Sequence, residues 1–121
     1  QAKRWKVACG GFSGGAKRSA AVAAAMMKNG WHVAGVFMGG CNEDRATMGI
    51  SLFQPGPAFK NVAMFLSNGD SDPIAGVDAG TRVKESMARS GFANVRLESY
   101  AGEHRLNKEH LREALIWFDR N

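Results

Sequence analysis

The chain has 121 residues, 45% of them apolar and 22% charged, and a formal charge of +5. This length fits one domain with a modest core, and the composition is that of a globular chain, not a disordered one. No apolar run approaches the ~18 residues of a membrane helix, and no signal-peptide pattern opens the sequence. The one tight basic group, Lys3, Arg4 and Lys6 around Trp5, has no basic and aromatic repeat after it. The cations therefore read as solvated surface, with neither nucleic acid nor a membrane span as partner.

Taken in order, WKVACGGF (5–12) reads as a buried strand. AKRSAAVAAAMMKNG (16–30) reads as a helix with Gly30 just past its end, where a left-handed residue is favoured. Its alanines permit close approach to a sheet. HVAGVFM (32–38) is a second strand. Residues 39–60 form a long connection in which DRATMGISLF is a short helix, and NVAMFLS (61–67) is a third strand. GVDAGTRVKESMARSG (76–91) is a helix with Val83 and Met87 on one face and Gly91 as its stop. NVRLESY (94–100) is a fourth strand. NKEHLREALIWFDR (107–120) is a final helix with Asn107 as N-cap and a stripe of Leu111, Ala114, Leu115 and Phe118.

Strands alternating with helices predict an α/β domain with a mostly parallel four-stranded sheet, crossover helices and a C-terminal helix. In such sheets functional groups gather at the carboxyl ends of the strands. Here those ends are Ser13 and the loops 39–44, 68–73 and 101–105. Cys9 and Cys41 are the only cysteines. Without a CxxC they make no zinc site, and a bridge between them would set the strands out of step, so two free thiols are expected. The redox compartment stays open.

GGFSGGAKRS (10–19) allows two readings. A phosphate loop needs GxxxxGK[ST], but Ala16 follows Gly15 and pushes the lysine one place on. A dinucleotide fingerprint needs GxGxxG and an acid ending the second strand, and neither is present. The other reading takes Gly11-Phe12-Ser13-Gly14-Gly15 as GxSxG on a sharp strand-to-helix turn. Small residues at Gly11 and Gly15 would let the turn close, and the Gly14 amide would face a developing oxyanion. A serine hydroxyl also needs a base and an acid. SNGDSDPIAG (67–76) offers Asp70 and Asp72 on a loop closed by Pro73, and YAGEHRL (100–106) offers His104. They follow in the order serine, acid, histidine, each at a strand end.

With GFSGG, SNGDSDPIAG and YAGEHRLNKEHLREALIWF, the sequence resembles the α/β-hydrolase superfamily, in particular the carboxylesterase/lysophospholipase and dienelactone-hydrolase type esterases. The resemblance runs almost end to end. It implies a serine esterase with Ser13 as nucleophile, His104 as base, Asp72 as acid in the GxxD pattern from Gly69, and Gly14 as oxyanion donor. It implies a small-molecule ester substrate and no cofactor. In that family the nucleophile follows the fifth of eight strands, and here it follows the first. The chain is thus expected to match the C-terminal half of the fold, and Gln1 in place of Met fits a processed chain or a fragment. The second oxyanion donor would come from the N-terminal half or from another copy in a homo-oligomer. A non-catalytic half-domain is the alternative.

Other candidates read as structural. Glu103, His104 and His110 match no helix-borne metal-ligand spacing, and His32 begins a strand. Cys41, Asn42, Glu43 and Asp44 lie at the mouth of the expected site, as pocket wall or solvated loop. The six methionines read as core fillers.

Overall fold

Successive side chains of a strand point to opposite faces of its sheet. In the second and third strands both sets are apolar, so both faces need cover. The computed structural model describes residues 5–120 and meets this demand with helices on two sides. Lys3 and Arg4, two of the three cations around Trp5, lie outside the described residues. The elements are β1 (Lys6–Phe12), α1 (Gly14–Lys28), β2 (His32–Gly39), α2 (Arg45–Phe53), a 3-10 turn (Pro57–Asn61), β3 (Ala63–Gly69), α3 (Val77–Arg89), β4 (Val95–Tyr100) and α4 (Lys108–Arg120). All strand pairs are parallel, in the order β1-β2-β3-β4.

The first face packs Val36, Met38, Met64 and Leu66 against the helices joining the strands. Ala16, Ala20, Ala23 and Ala24 of α1, Ala46 of α2, and Val83 and Met87 of α3 meet them there. Small side chains on α1 bring it close, and a Cβ at Gly49 of α2 would stand 3.0 Å from the Ala24 methyl. The second face carries Phe37, Ala63 and Phe65, covered by Ala114 and Phe118 of α4. The Phe118 ring lies directly on Gly35, where any Cβ would overlap it.

Turn chemistry sets the ends. Gly30, with φ 88°, follows α1, and Gly91, with φ 95°, follows α3. Asn107 Oδ1 accepts from the His110 amide at 2.9 Å and caps α4, and Asp44 caps α2 by accepting from the Thr47 amide. β3 begins two residues later than the pattern suggests, because Pro57–Asn61 closes a 3-10 turn. The stripe on α4 also needs correction. Leu115 is 50% exposed, and its place is taken by His110, which is buried against Phe65 and Tyr100 with Nδ1 2.7 Å from Ser67 Oγ.

Register aligns the carboxyl ends. Phe12 pairs with Gly39, Gly39 with Ser67, and Gly69 with Tyr100. The residues that follow each strand therefore share one edge of the sheet.

Candidate active site

At that edge β1 stops at Phe12 and the chain turns at once into α1. Ser13 sits on the turn with φ 58° and ψ −118°, an uncommon conformation for a residue with a side chain. Strain of this kind costs roughly 1–3 kcal/mol and persists only where the surroundings enforce it. Here the Ser13 amide donates to Gly39 O at 2.7 Å, and Ser13 O accepts from Ala16 at 3.0 Å. A Cβ on Gly11 would overlap the Gly15 carbonyl, so the turn closes only with glycine at 11. Gly15 differs from expectation: a Cβ there meets nothing within 4 Å, and its smallness is not what lets the turn close.

The loop after β4 brings His104 to Ser13, with Nε2 2.9 Å from the serine Oγ. The loop after β3 brings Asp72, whose Oδ2 lies 2.7 Å from His104 Nδ1. Asp72 Oδ1 accepts from the amides of Ile74 at 2.7 Å and Ala75 at 2.9 Å. The Asp72 side chain is fully buried and that of His104 is 16% exposed. Burial pushes the Asp72 carboxyl up, but the Ala75 amide, His104 and the Ile74 amide outweigh it and hold the carboxyl below its usual range. Asp72 is therefore a carboxylate that only accepts. Nδ1 of His104 must donate to it, which leaves the Nε2 lone pair of the neutral ring to accept from the Ser13 hydroxyl.

The surroundings fix this chain of bonds. The Phe12 ring packs on the His104 ring at 4.6 Å. Gly40, with φ 62°, lies beneath it, and a Cβ there would stand 2.7 Å from His104 Cε1. Asp70 does not bond the imidazole. Its Oδ1 accepts from the Gly102 amide at 3.0 Å and ties the two loops together. Asn68, fully buried, donates through Nδ2 to Cys41 O at 3.1 Å and Ala75 O at 2.9 Å. Cys41 itself is buried, with Sγ donating to Glu43 O, so this part of the 41–44 loop is not solvated. Gly14 opens α1, whose first amides have no helical acceptor.

No family model matches the chain. It is 31% identical to acyl-protein thioesterase 1 of Debaryomyces hansenii, over an alignment taking in 94% of this chain and 47% of that protein. Among solved structures it is similar to Arabidopsis thaliana SOBER1, with a TM-score of 0.70 and 16% identity over 99% of this chain and 54% of that one. Zea mays acyl-protein thioesterase 2 superposes with a TM-score of 0.65 and 20% identity, over 95% of this chain and 55% of that one. The fold is that of the α/β-hydrolase superfamily. The stretch matched is the C-terminal half of that fold, and the chain spans about half the length of the curated relative.

Within this fold, Ser13, His104 and Asp72 are brought into one hydrogen-bonded series, and Gly11 and Gly14 flank the serine. Pattern reading did not single out Phe12, Gly40, Asn68 or Tyr100. A second glycine after β2, an Asn before the acid loop and an aromatic at the last position of β4 were the available signals, and none has a fixed meaning without its spatial partner.

Proposed function

We propose that the chain carries the reaction centre of a serine hydrolase that cleaves a carboxylic ester or thioester. The observation that supports this most is the continuous series Ser13 Oγ, His104 Nε2, His104 Nδ1 and Asp72 Oδ2, with links of 2.9 and 2.7 Å. The names of the thioesterase relatives support the widening from ester to thioester.

In this reading Ser13 Oγ attacks the acyl carbon while His104 Nε2 takes its proton. Asp72 holds the Nδ1–H tautomer and stabilises the cation that forms. The Gly14 amide donates to the oxyanion from the positive end of α1. Collapse expels the alcohol or thiol, protonated by His104, and leaves an acyl-serine. Water, deprotonated by His104, then releases the acid. The second oxyanion donor and the rest of the acyl pocket come from the other half of the fold or from a second copy.

A fluorophosphonate probe tests the reading. The parent chain should be labelled at Ser13, and Ser13→Ala should lose all labelling and all turnover of a short p-nitrophenyl ester or thioester while keeping its circular dichroism. Equal turnover in the alanine variant would remove Ser13 from the mechanism. A folded parent that no probe labels would favour the non-catalytic half-domain.

A further inference from the structure

The segment that presents His104, between β4 and α4, is a run of bends that is mostly exposed. Nothing in its own backbone ladder holds the imidazole between two partners on other loops. Its tether comes from beneath. Tyr100, the last residue of β4 and 7% exposed, directs its hydroxyl into the hollow of this loop. The oxygen lies 2.8 Å from Glu103 O and 2.6 Å from Arg105 O, and it accepts from the Arg105 amide at 3.3 Å. These are the backbone groups immediately before and after His104. One phenolic proton serves both carbonyls in turn.

Tyr100 is itself held firmly. Its strand position pairs with Gly69, its ring packs edge-on against His110 at 5.7 Å, and the Arg105 guanidinium lies 5.0 Å above it. The acid loop adds a second tether, with the Gly102 amide donating to Asp70 Oδ1 and Gly102 O accepting from the Ser71 amide at 2.9 Å. That tether fixes the near end of the loop. Among the described residues, Tyr100 alone bonds backbone on both sides of the histidine.

We infer that the Tyr100 hydroxyl is a positioning group for the reaction: by bonding the peptide groups on either side of His104, it sets the imidazole so that Nδ1 and Nε2 meet Asp72 and Ser13 together. The inference rests on the reading of His104 as base. A misplacement near 1 Å in such a site can cost about 10²-fold in rate, so a hydroxyl that never touches substrate governs the chemical step.

Tyr100→Phe removes one oxygen and is the first test. With a fluorophosphonate, the maximal labelling rate should fall roughly 10- to 100-fold, and the half-saturating probe concentration should stay within about twofold, because probe contacts are untouched. By NMR, the low-field His104 Nδ1 proton should exchange with water at least about tenfold faster in the variant. An unchanged maximal rate and an unchanged exchange rate would each overturn the inference. The NMR arm needs no activity, so a parent that resists labelling defeats the reading of His104 as base without deciding the role of Tyr100.

Should the phenylalanine variant not fold, the chain's single tyrosine offers a second route. Tyrosine replaced throughout by a ring-fluorinated analogue alters Tyr100 alone, and the fluorine makes its phenol a stronger acid that passes more readily to phenolate. A phenolate cannot donate to Glu103 O or Arg105 O and repels both. His104 Nδ1 exchange should then quicken in the analogue relative to the parent wherever the analogue's own absorbance shows phenolate forming. Coincident profiles for parent and analogue would overturn the inference.

Discussion

Two aspartates, two residues apart, have been given different work by their backbone. Asp72 is enclosed, with two amides on one oxygen and His104 on the other, whereas Asp70 is exposed and holds Gly102. Asp72→Asn should therefore cost close to ~10⁴-fold in turnover, because the amide favours the wrong imidazole tautomer. Asp70→Asn, which loosens only the loop, should cost far less, and the reverse order in steady-state kinetics would exchange the two roles. Asp72 also couples stability to pH. Its folded-state pKa lies below the ordinary 3.8, so the stabilisation is complete above that value and is lost as pH falls through the lower, folded value. Urea unfolding between about pH 5 and pH 2 should show a steeper decline for the parent than for Asp72→Asn, whose side chain does not titrate. Both carboxylates were visible in SNGDSDPIAG, and the resemblance to the esterases, through their GxxD pattern, favoured Asp72. What the letters could not carry was that Asp70 reaches across 32 residues to a backbone amide.

At the level of elements, the turn from β1 into α1 depends on one glycine more than its pattern suggests. The Cβ overlap at Gly11 is with backbone that cannot step aside, while Gly15 faces open space. Gly11→Ala should lower stability by roughly 1–3 kcal/mol and displace Ser13, whereas Gly15→Ala should leave thermal unfolding and probe labelling near parental values. Equal losses in the two variants would show that both flanks close the turn. The elements were largely readable because strand alternation and helix stops are local. Apolar runs bounded by Gly30, Gly91 and Asn107 announced their own ends. The α4 stripe was misjudged at Leu115 because a single helix lies on that face of the sheet, and its lateral edge is left uncovered. Gly40, Asn68 and Tyr100 escaped notice for a related reason: each earns its meaning from a loop that only tertiary structure brings near.

For the molecule as a whole, the two faces of the sheet are unequally clad. Among the described residues, three helices cover one face, and α4 alone covers part of the other. Beside α4, Gly10, Gly11, Phe12, Phe37, Leu106 and Leu111 line an apolar groove of about 280 Å³ that follows β1. Among the described residues β1 pairs only with β2, and an unpaired strand edge is a template for another chain. We propose that this edge is paired in the working protein, by the rest of the fold or by a second copy. Sedimentation at high micromolar concentration should show self-association of the 121-residue chain, and a clean monomer that melts cooperatively and binds no apolar dye would refute it. The register described above has a further consequence, for folding. Ser13 and His104 are 91 residues apart, and Asp72 arrives from a third strand end. Closing such distances requires the ends of β1, β3 and β4 to lie in register along one sheet edge. Labelling of Ser13 by a fluorophosphonate, if the proposed role holds, would therefore report a sheet whose strand ends have come into register, and its onset during refolding should follow formation of those long-range contacts.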